Sequence, residues 1–256
     1  MVFKLKQKTT ILQRLYRDYV CYVEEISKIE EDYLWQNVGI YVDDPHSIQE
    51  FLIVHSPSSH SGGESLGAYM TAENPSTIRK FAEVLKAMRD FRVHLQTSIN
   101  VEHQVKKSMR WLPKTYTVRY CRADSDTFEP HCLRKKGAIR LTPDNIKRLK
   151  PSASPHFIKR IETAPVYGYA NEKGELVAMS GVAFLTEKSF SISYTETKPE
   201  YRGQGIAKYL TSLASEPLIH KGLVGVYSAD ITNEPSLRVA RALGFLPYQD
   251  LICFYN

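Results

Sequence analysis

The sequence predicts an α+β fold: a central, mixed, mostly antiparallel sheet flanked by helices. Three observations predict it. Residues 167–170 and 176–184 are strand-like runs joined by Asn171-Glu172-Lys173-Gly174, a hairpin turn. Residues 189–197 follow as a third antiparallel strand. That strand then feeds a helix-like run, 206–214, through two glycines, Gly203 and Gly205.

The remaining elements follow in chain order. Leu12, Leu15, Tyr19, Tyr22, Ile26, Ile29 and Tyr33 recur at alternating steps of three and four, which predicts one long amphipathic helix with Thr9 or Thr10 as N-cap. Its stripe either packs on its own domain or pairs across a homodimer; three tyrosines argue against a tight coiled-coil seam. Strands are expected at 38–42, 49–55 and 66–72, with a loop over 56–63. Asn74-Pro75 starts a helix reaching about Phe91, and a second helical stretch covers 101–111. Leu112-Pro113-Lys114 reads as a boundary between an N-terminal α/β region, 1–113, and a second domain, 114–256.

In the second domain, 115–121 alternates like a strand. Thr142-Pro143-Asp144 opens a short helix ending near Leu149, and 151–155 is a loop. The helix after Gly205 should reach about His220, with Pro217 kinking or shortening it and Gly222 ending it. A strand at 223–231, a helix at 235–243 stopped by Gly244 and a last strand at 251–255 complete the chain, and no internal repeat is legible.

Composition narrows the function. Hydrophobic residues make up 43% of the chain, and no run approaches a membrane span, so no membrane partner is expected. The N-terminus lacks the apolar core of a signal peptide. Cys21, Cys121, Cys132 and Cys253 have no metal spacing, and the eight histidines form no ligand pattern, so no metal is expected. Free thiols suit a cytoplasmic location. Residues 1–113 hold 14 Lys/Arg against 14 Asp/Glu, while 114–256 hold 20 against 14. The whole net charge of +6 therefore lies in the half that carries the two glycines. A basic field suits a polyanionic ligand. No basic arm or recognised module points to nucleic acid.

Tyr201–Lys208 reads Y-R-G-Q-G-I-A-K. Glycines let a backbone approach a ligand closely, and a helix N-terminus offers unpaired N–H groups to phosphate. The dinucleotide fingerprint G-x-G-x-x-G fails, because Lys208 occupies its third glycine position, and the P-loop fails for want of G-K-[ST]. The segment instead resembles the Arg-x-x-Gly-x-Ala signature of the GNAT N-acyltransferases, with Arg202, Gly205 and Ala207 as the matching positions and Pro199-Glu200-Tyr201 as lead-in. Asn233-Glu234-Pro235-Ser236 and Ala242-Leu243-Gly244-Phe245 resemble that family's second block. The resemblance covers about 160–250 and extends back toward 115. The N-terminal region is either a degenerate GNAT-like half or a separate α/β module.

The resemblance implies an acetyl-CoA-dependent N-acetyltransferase acting on a primary amine, with the small-molecule class favoured. An acyl-CoA sensor or scaffold and a protein or peptide acetyltransferase stand as alternatives. It implies a fourth and fifth strand that splay apart near Thr197 and Ser228. The backbone from Gly203 through Gln204, Gly205, Ile206 and Ala207 to Lys208, with Arg202, would hold the pyrophosphate. Thr195, Glu196 and Thr197 would pair with the pantetheine, and Asn233 and Ser236 would line its slot; Asn233 reads equally as a helix N-cap. Where many relatives carry a tyrosine acid this chain has Ala240, and where some carry a glutamate base it has Ser228. Glu196, Tyr194 on the same strand face, and Asp230 are the local acid–base candidates. Tyr227 and Asp230 flank the splayed fifth strand.

Overall fold

A computed structural model describes residues 2–31, 38–55, 65–132, 136–149 and 155–256. The chain divides into two compact units: Met1–Asp18, Lys28–Arg119 and Gln249–Asn256 form the first, and Tyr19–Ser27 with Tyr120–Tyr248 form the second.

The first unit starts with β1 (Phe3–Lys4), α1 (Lys8–Leu15), a 3-10 turn and α2 (Val23–Glu30), which reaches it from the second unit. Then come β2 (Val38–Val42), β3 (Phe51–His55), β4 (Ser65–Thr71), α3 (Pro75–Lys86), β5 (Arg92–Ser98), α4 (Glu102–Ser108) and β6 (Lys114–Ala123), whose last residues cross into the second unit. Strands β1 to β4 pair antiparallel in sequence order, and β4 pairs parallel to β5. Residues Leu251 to Tyr255 pair antiparallel with β5 and complete this sheet. Leu52, Met70, Phe81, Leu95 and Phe254 fill the core beneath α3.

The second unit contains β7 (Ala138–Arg140), α5 (Pro143–Leu149), α6 (Pro155–Thr163), β8 (Val166–Ala170), β9 (Leu176–Leu185), β10 (Ser189–Thr197), α7 (Ile206–Ile219), β11 (Val224–Asp230) and α8 (Glu234–Arg241). The last strand, β12 (Leu246–Tyr255), begins here and ends in the first unit. The sheet order is β7-β8-β9-β10-β11-β6. Strands β7 to β10 pair antiparallel, and β10 pairs parallel to β11. Phe190, Val182, Ala214, Tyr227 and Phe245 form the core between this sheet and helices α7 and α8.

Both units therefore run β-α-α-β-β-β-α-β-α-β, a duplication that the sequence alone did not disclose. Burial constrains only the pattern of apolar positions, so two halves can keep one topology with unrelated residues.

The long N-terminal helix is not one helix. It breaks into α1 and α2 at Tyr16–Asp18, and α1 starts at Lys8 without a side-chain cap from Thr9 or Thr10. The Tyr16 hydroxyl donates to the Glu30 carboxylate. In one straight helix those residues would stand about 21 Å apart, so the chain must fold back between them. Tyr33 and the 56–63 loop lie outside the described residues. Helix α3 stops at Lys86 rather than near Phe91, because β5 follows; its alternation buries Val93, Leu95 and Thr97. Helix α6 and the short β1 and β7 were not foreseen. Helix α7 runs through Pro217 to Ile219, and Gly222 turns the chain at φ 85°. Gly244 ends the turn after α8 at φ 76°; a Cβ there would meet the Thr127 carbonyl at 1.8 Å, so only glycine fits. Among the described residues no helix is long and apolar enough to cross a membrane.

Candidate functional site

The site begins where two parallel strands stop pairing. The β10–β11 register runs from Ser189↔Val224 to Ile192↔Tyr227. Beyond it β10 continues to Thr197 and β11 to Asp230 without a shared register, so the strands part at the place expected near Thr197 and Ser228. Against β9 the register steps from Ser193↔Gly181 to Glu196↔Met179, three residues on β10 opposite two on β9. This bulge turns the strand's backbone groups out of the ladder. It also removes the unbroken two-residue alternation on which the expected sharing of a face by Tyr194 and Glu196 rested. The Tyr194 side chain lies outside the described residues.

The strand leads into the glycine turn. Lys198 N–H donates to the Val177 carbonyl at 2.8 Å, and Tyr201 N–H to the Lys198 carbonyl at 2.9 Å. Gly203 and Gly205 hold φ of 75° and 72°, left-handed values that other residues adopt at a cost. Gly205 is the N-cap of α7, and among the described residues no side chain caps that end. A Cβ on Gly203 would meet nothing within 4 Å, so the turn opens outward. Arg202 folds back, its Nε donating to the Thr197 carbonyl at 3.1 Å, and the Tyr201 hydroxyl accepts from Asn171 Nδ2 at 3.1 Å.

Strand end, turn and helices enclose an open cavity of about 1200 Å³. Every residue expected at the cofactor lines it except Gln204. The sequence reading missed Lys198, Tyr201 and Arg238, and the apolar wall Val177, Ala178 and Met179 of β9. Lys198, Arg202, Lys208 and Arg238 set four cations against one lining carboxylate, Glu196. Such a field favours a polyanion. The Thr197 hydroxyl is buried without a hydrogen-bond partner among the described residues.

Asn233 is the N-cap of α8 and also stands at the cavity. Its Oδ1 accepts from Ser236 N–H at 3.3 Å as the α8 N-cap, and it lines the cavity. Asp230 does not line the cavity; its Oδ1 accepts from Thr232 N–H and hydroxyl, both at 2.7 Å, closing the turn before α8. Tyr227, just 2% exposed, reaches Ser236 Oγ at 2.9 Å. Burial pushes its phenol above the ordinary value, while hydrogen bonds to Ser236 and Thr195 oppose that rise. Ala240 is wholly buried and carries no proton donor.

The first unit's counterpart is built otherwise. Its parallel pair keeps register from Ser65↔Arg92 to Met70↔Thr97, almost to the strand ends. The N-terminus of α3 is already satisfied. Asn74 Oδ1 accepts from Ser76 N–H at 2.8 Å, and Glu50 Oε1 accepts from Glu73 N–H at 2.7 Å and Asn74 N–H at 2.6 Å.

The model of the acetyltransferase (GNAT) family matches residues 136–245, which contain the splay, the glycine turn and α8. A Drosophila protein solved by X-ray crystallography superposes with a TM-score of 0.71 at 10% identity, over 99% of this chain and 97% of its own. A GCN5-related N-acetyltransferase from Sphaerobacter thermophilus gives 0.65 at 12% identity, over 100% and 95%. A tandem GNAT protein from the clavulanic acid biosynthesis pathway gives 0.64 at 13% identity, over 100% and 98%. At such identities these likenesses establish the fold, including a second GNAT-like half in the first unit. No curated protein matches the chain in sequence.

Proposed function

We propose that the chain, whose residues 136–245 match the model of the acetyltransferase (GNAT) family, moves an acetyl group from acetyl-CoA to the primary amine of a small molecule. The observation that carries the reading is the coincidence, in one cavity, of a parted strand pair and an uncapped helix N-terminus behind two left-handed glycines.

The residues fit the cosubstrate. The open face of Gly203 and the free first turn of α7 suit a diphosphate, assisted by Arg202 and Lys208. The exposed edge of β10 at Thr195–Thr197 suits an extended amide-bearing arm. The unpartnered Thr197 hydroxyl suits the same arm. Bound there, acetyl-CoA supplies an activated acyl group as a thioester. The chain contributes position, which can replace several kcal/mol of barrier, and backbone N–H groups where negative charge develops on oxygen.

Glu196 is exposed and is the one carboxylate among the described residues that line the cavity. It would take the ammonium proton of the acceptor directly or through water. A single carboxylate suits one cationic amine; a basic peptide would call for several. The test measures release of CoA thiol across a panel of small amines and basic peptides. Turnover confined to small amines is expected. Saturating CoA at a hundredfold excess over its Kd should stabilise the fold by about 2.7 kcal/mol. An unmoved Tm overturns cofactor binding. Binding with no release for any acceptor would make the chain an acyl-CoA-binding scaffold.

A further inference from the structure

We propose that Tyr227, acting through Ser236, supplies the proton that the departing CoA sulfur takes up, in place of a donor at Ala240. The proposal rests on the acyl-transfer reading above. Helix α8 offers no such group at Ala240, which is buried and apolar. What the cavity has instead is a set of linked hydroxyls where β10 and β11 part.

Ser236, in the first turn of α8, lines the cavity, and its hydroxyl meets the Tyr227 hydroxyl at 2.9 Å. Thr195, in the bulge of β10, also lines the cavity. Behind it, Thr195 Oγ1 meets Ser180 Oγ at 2.9 Å, and Ser180 Oγ meets Thr211 Oγ1 at 2.8 Å. Ser180 and Thr211 are wholly buried, so water does not compete for these contacts. Each hydroxyl gives one proton and accepts at its oxygen. A connected row of them can pass a proton along without any member staying charged. Ser236 and Thr195 line the cavity, while Tyr227 does not.

The balance is complete. As the thioester C–S bond breaks, its electron pair stays on sulfur. The Ser236 hydroxyl gives sulfur a proton and takes one from Tyr227. The proton shed by the acceptor nitrogen passes to water in the open cavity, and a proton from that water restores Tyr227 through Ser236. The protein ends as it began, the acceptor becomes an amide and CoA leaves as the thiol. Burial holds Tyr227 protonated throughout the neutral range, as a donor must be. Tyr227 touches no substrate, so it is a positioning residue that works through Ser236.

The experiment compares the full-length wild type with Tyr227→Phe and Ser236→Ala. Three quantities are measured: CoA affinity by calorimetry, the ionisation of bound CoA thiol by thiolate absorbance, and kcat against pH with an accepted amine. Tyr227→Phe removes one oxygen from the core. It should keep CoA affinity within about threefold and lower kcat roughly a hundredfold, the low end for a positioned acid. The loss should grow as pH rises, where solvent protons that could replace the donor become scarce, and the bound thiol should ionise at higher pH than in wild type. Ser236→Ala should reproduce both effects. Identical thiol ionisation in wild type and both variants overturns the proposal whatever the turnover. An unchanged kcat profile in Tyr227→Phe overturns it too. A wild type that binds CoA but releases none with any amine overturns the acyl-transfer reading instead, a result visible before either variant is made.

Discussion

Gly205 holds φ 72° at the N-cap of α7, and no residue with a Cβ takes that conformation cheaply. A β-branched side chain there would strain the turn and stand over the N–H groups that face the cavity. Gly205→Val should therefore abolish CoA binding in calorimetry while circular dichroism still reports a folded chain; retained micromolar affinity would remove the turn from the site. This part of the site was legible in the sequence, because a glycine pair before a helix leaves few alternatives. The acid–base residues were not. Asp230 reads as a strand-end carboxylate, yet it closes a turn with Thr232. The pairing of Tyr194 with Glu196 rested on unbroken alternation, and the register of β10 shifts between Ser193 and Glu196. The Tyr227–Ser236 contact joins a strand to a helix nine positions later, a pairing that no local periodicity encodes.

Among the elements, the helices following the parallel strands decide how many ligands the chain takes. Helix α7 presents an uncapped N-terminus beside parted strands; α3 presents one already filled by Asn74 and by the Glu50 carboxylate, beside strands that stay in register. A carboxylate accepting two backbone N–H groups occupies the position a phosphate would need. The chain should bind one CoA per molecule, and calorimetry that finds two equivalents would overturn this. Glu50→Ala should cost about 0.5–1.5 kcal/mol, since water can take over the exposed donors, read as a lower urea midpoint. Most elements were foreseen because their signals are local: Asn74-Pro75 and Thr142-Pro143 each start a helix, and Asn171–Gly174 closes a hairpin. The stripe from Leu12 to Tyr33 misled, since steps of three and four persist across α1, a tight turn and α2 alike. Periodicity reports which side is buried, not whether the axis is continuous.

The whole molecule does not divide at one point along the chain. A cut near residue 113 follows from Pro113 and from the charge asymmetry. Yet Tyr19–Ser27 belong to the second unit and Gln249–Asn256 to the first, so each half lends the other a segment. Such an exchange leaves no compositional mark, because a lent strand is as apolar as a kept one. Its consequence is measurable. Leu251, Ile252, Cys253 and Phe254 are each 3% exposed or less, and they pair with β5 from Ser98 to Gln96 and Leu95. Burying side chains of this kind contributes roughly 1.5–3 kcal/mol each. Deleting 249–256 should therefore remove roughly 6–12 kcal/mol, comparable with the whole stability of a typical domain. In the truncated chain, amide exchange should lose its protection across β2 to β5, because β5 loses its antiparallel partner and the core beneath α3 loses Ile252 and Phe254. Protection across β8 to β10 should fall less, since those strands pair only with one another and with β7 and β11. Equal loss in both units would mean that they unfold as one. Unchanged protection in β5 would mean that the lent strand adds no stability.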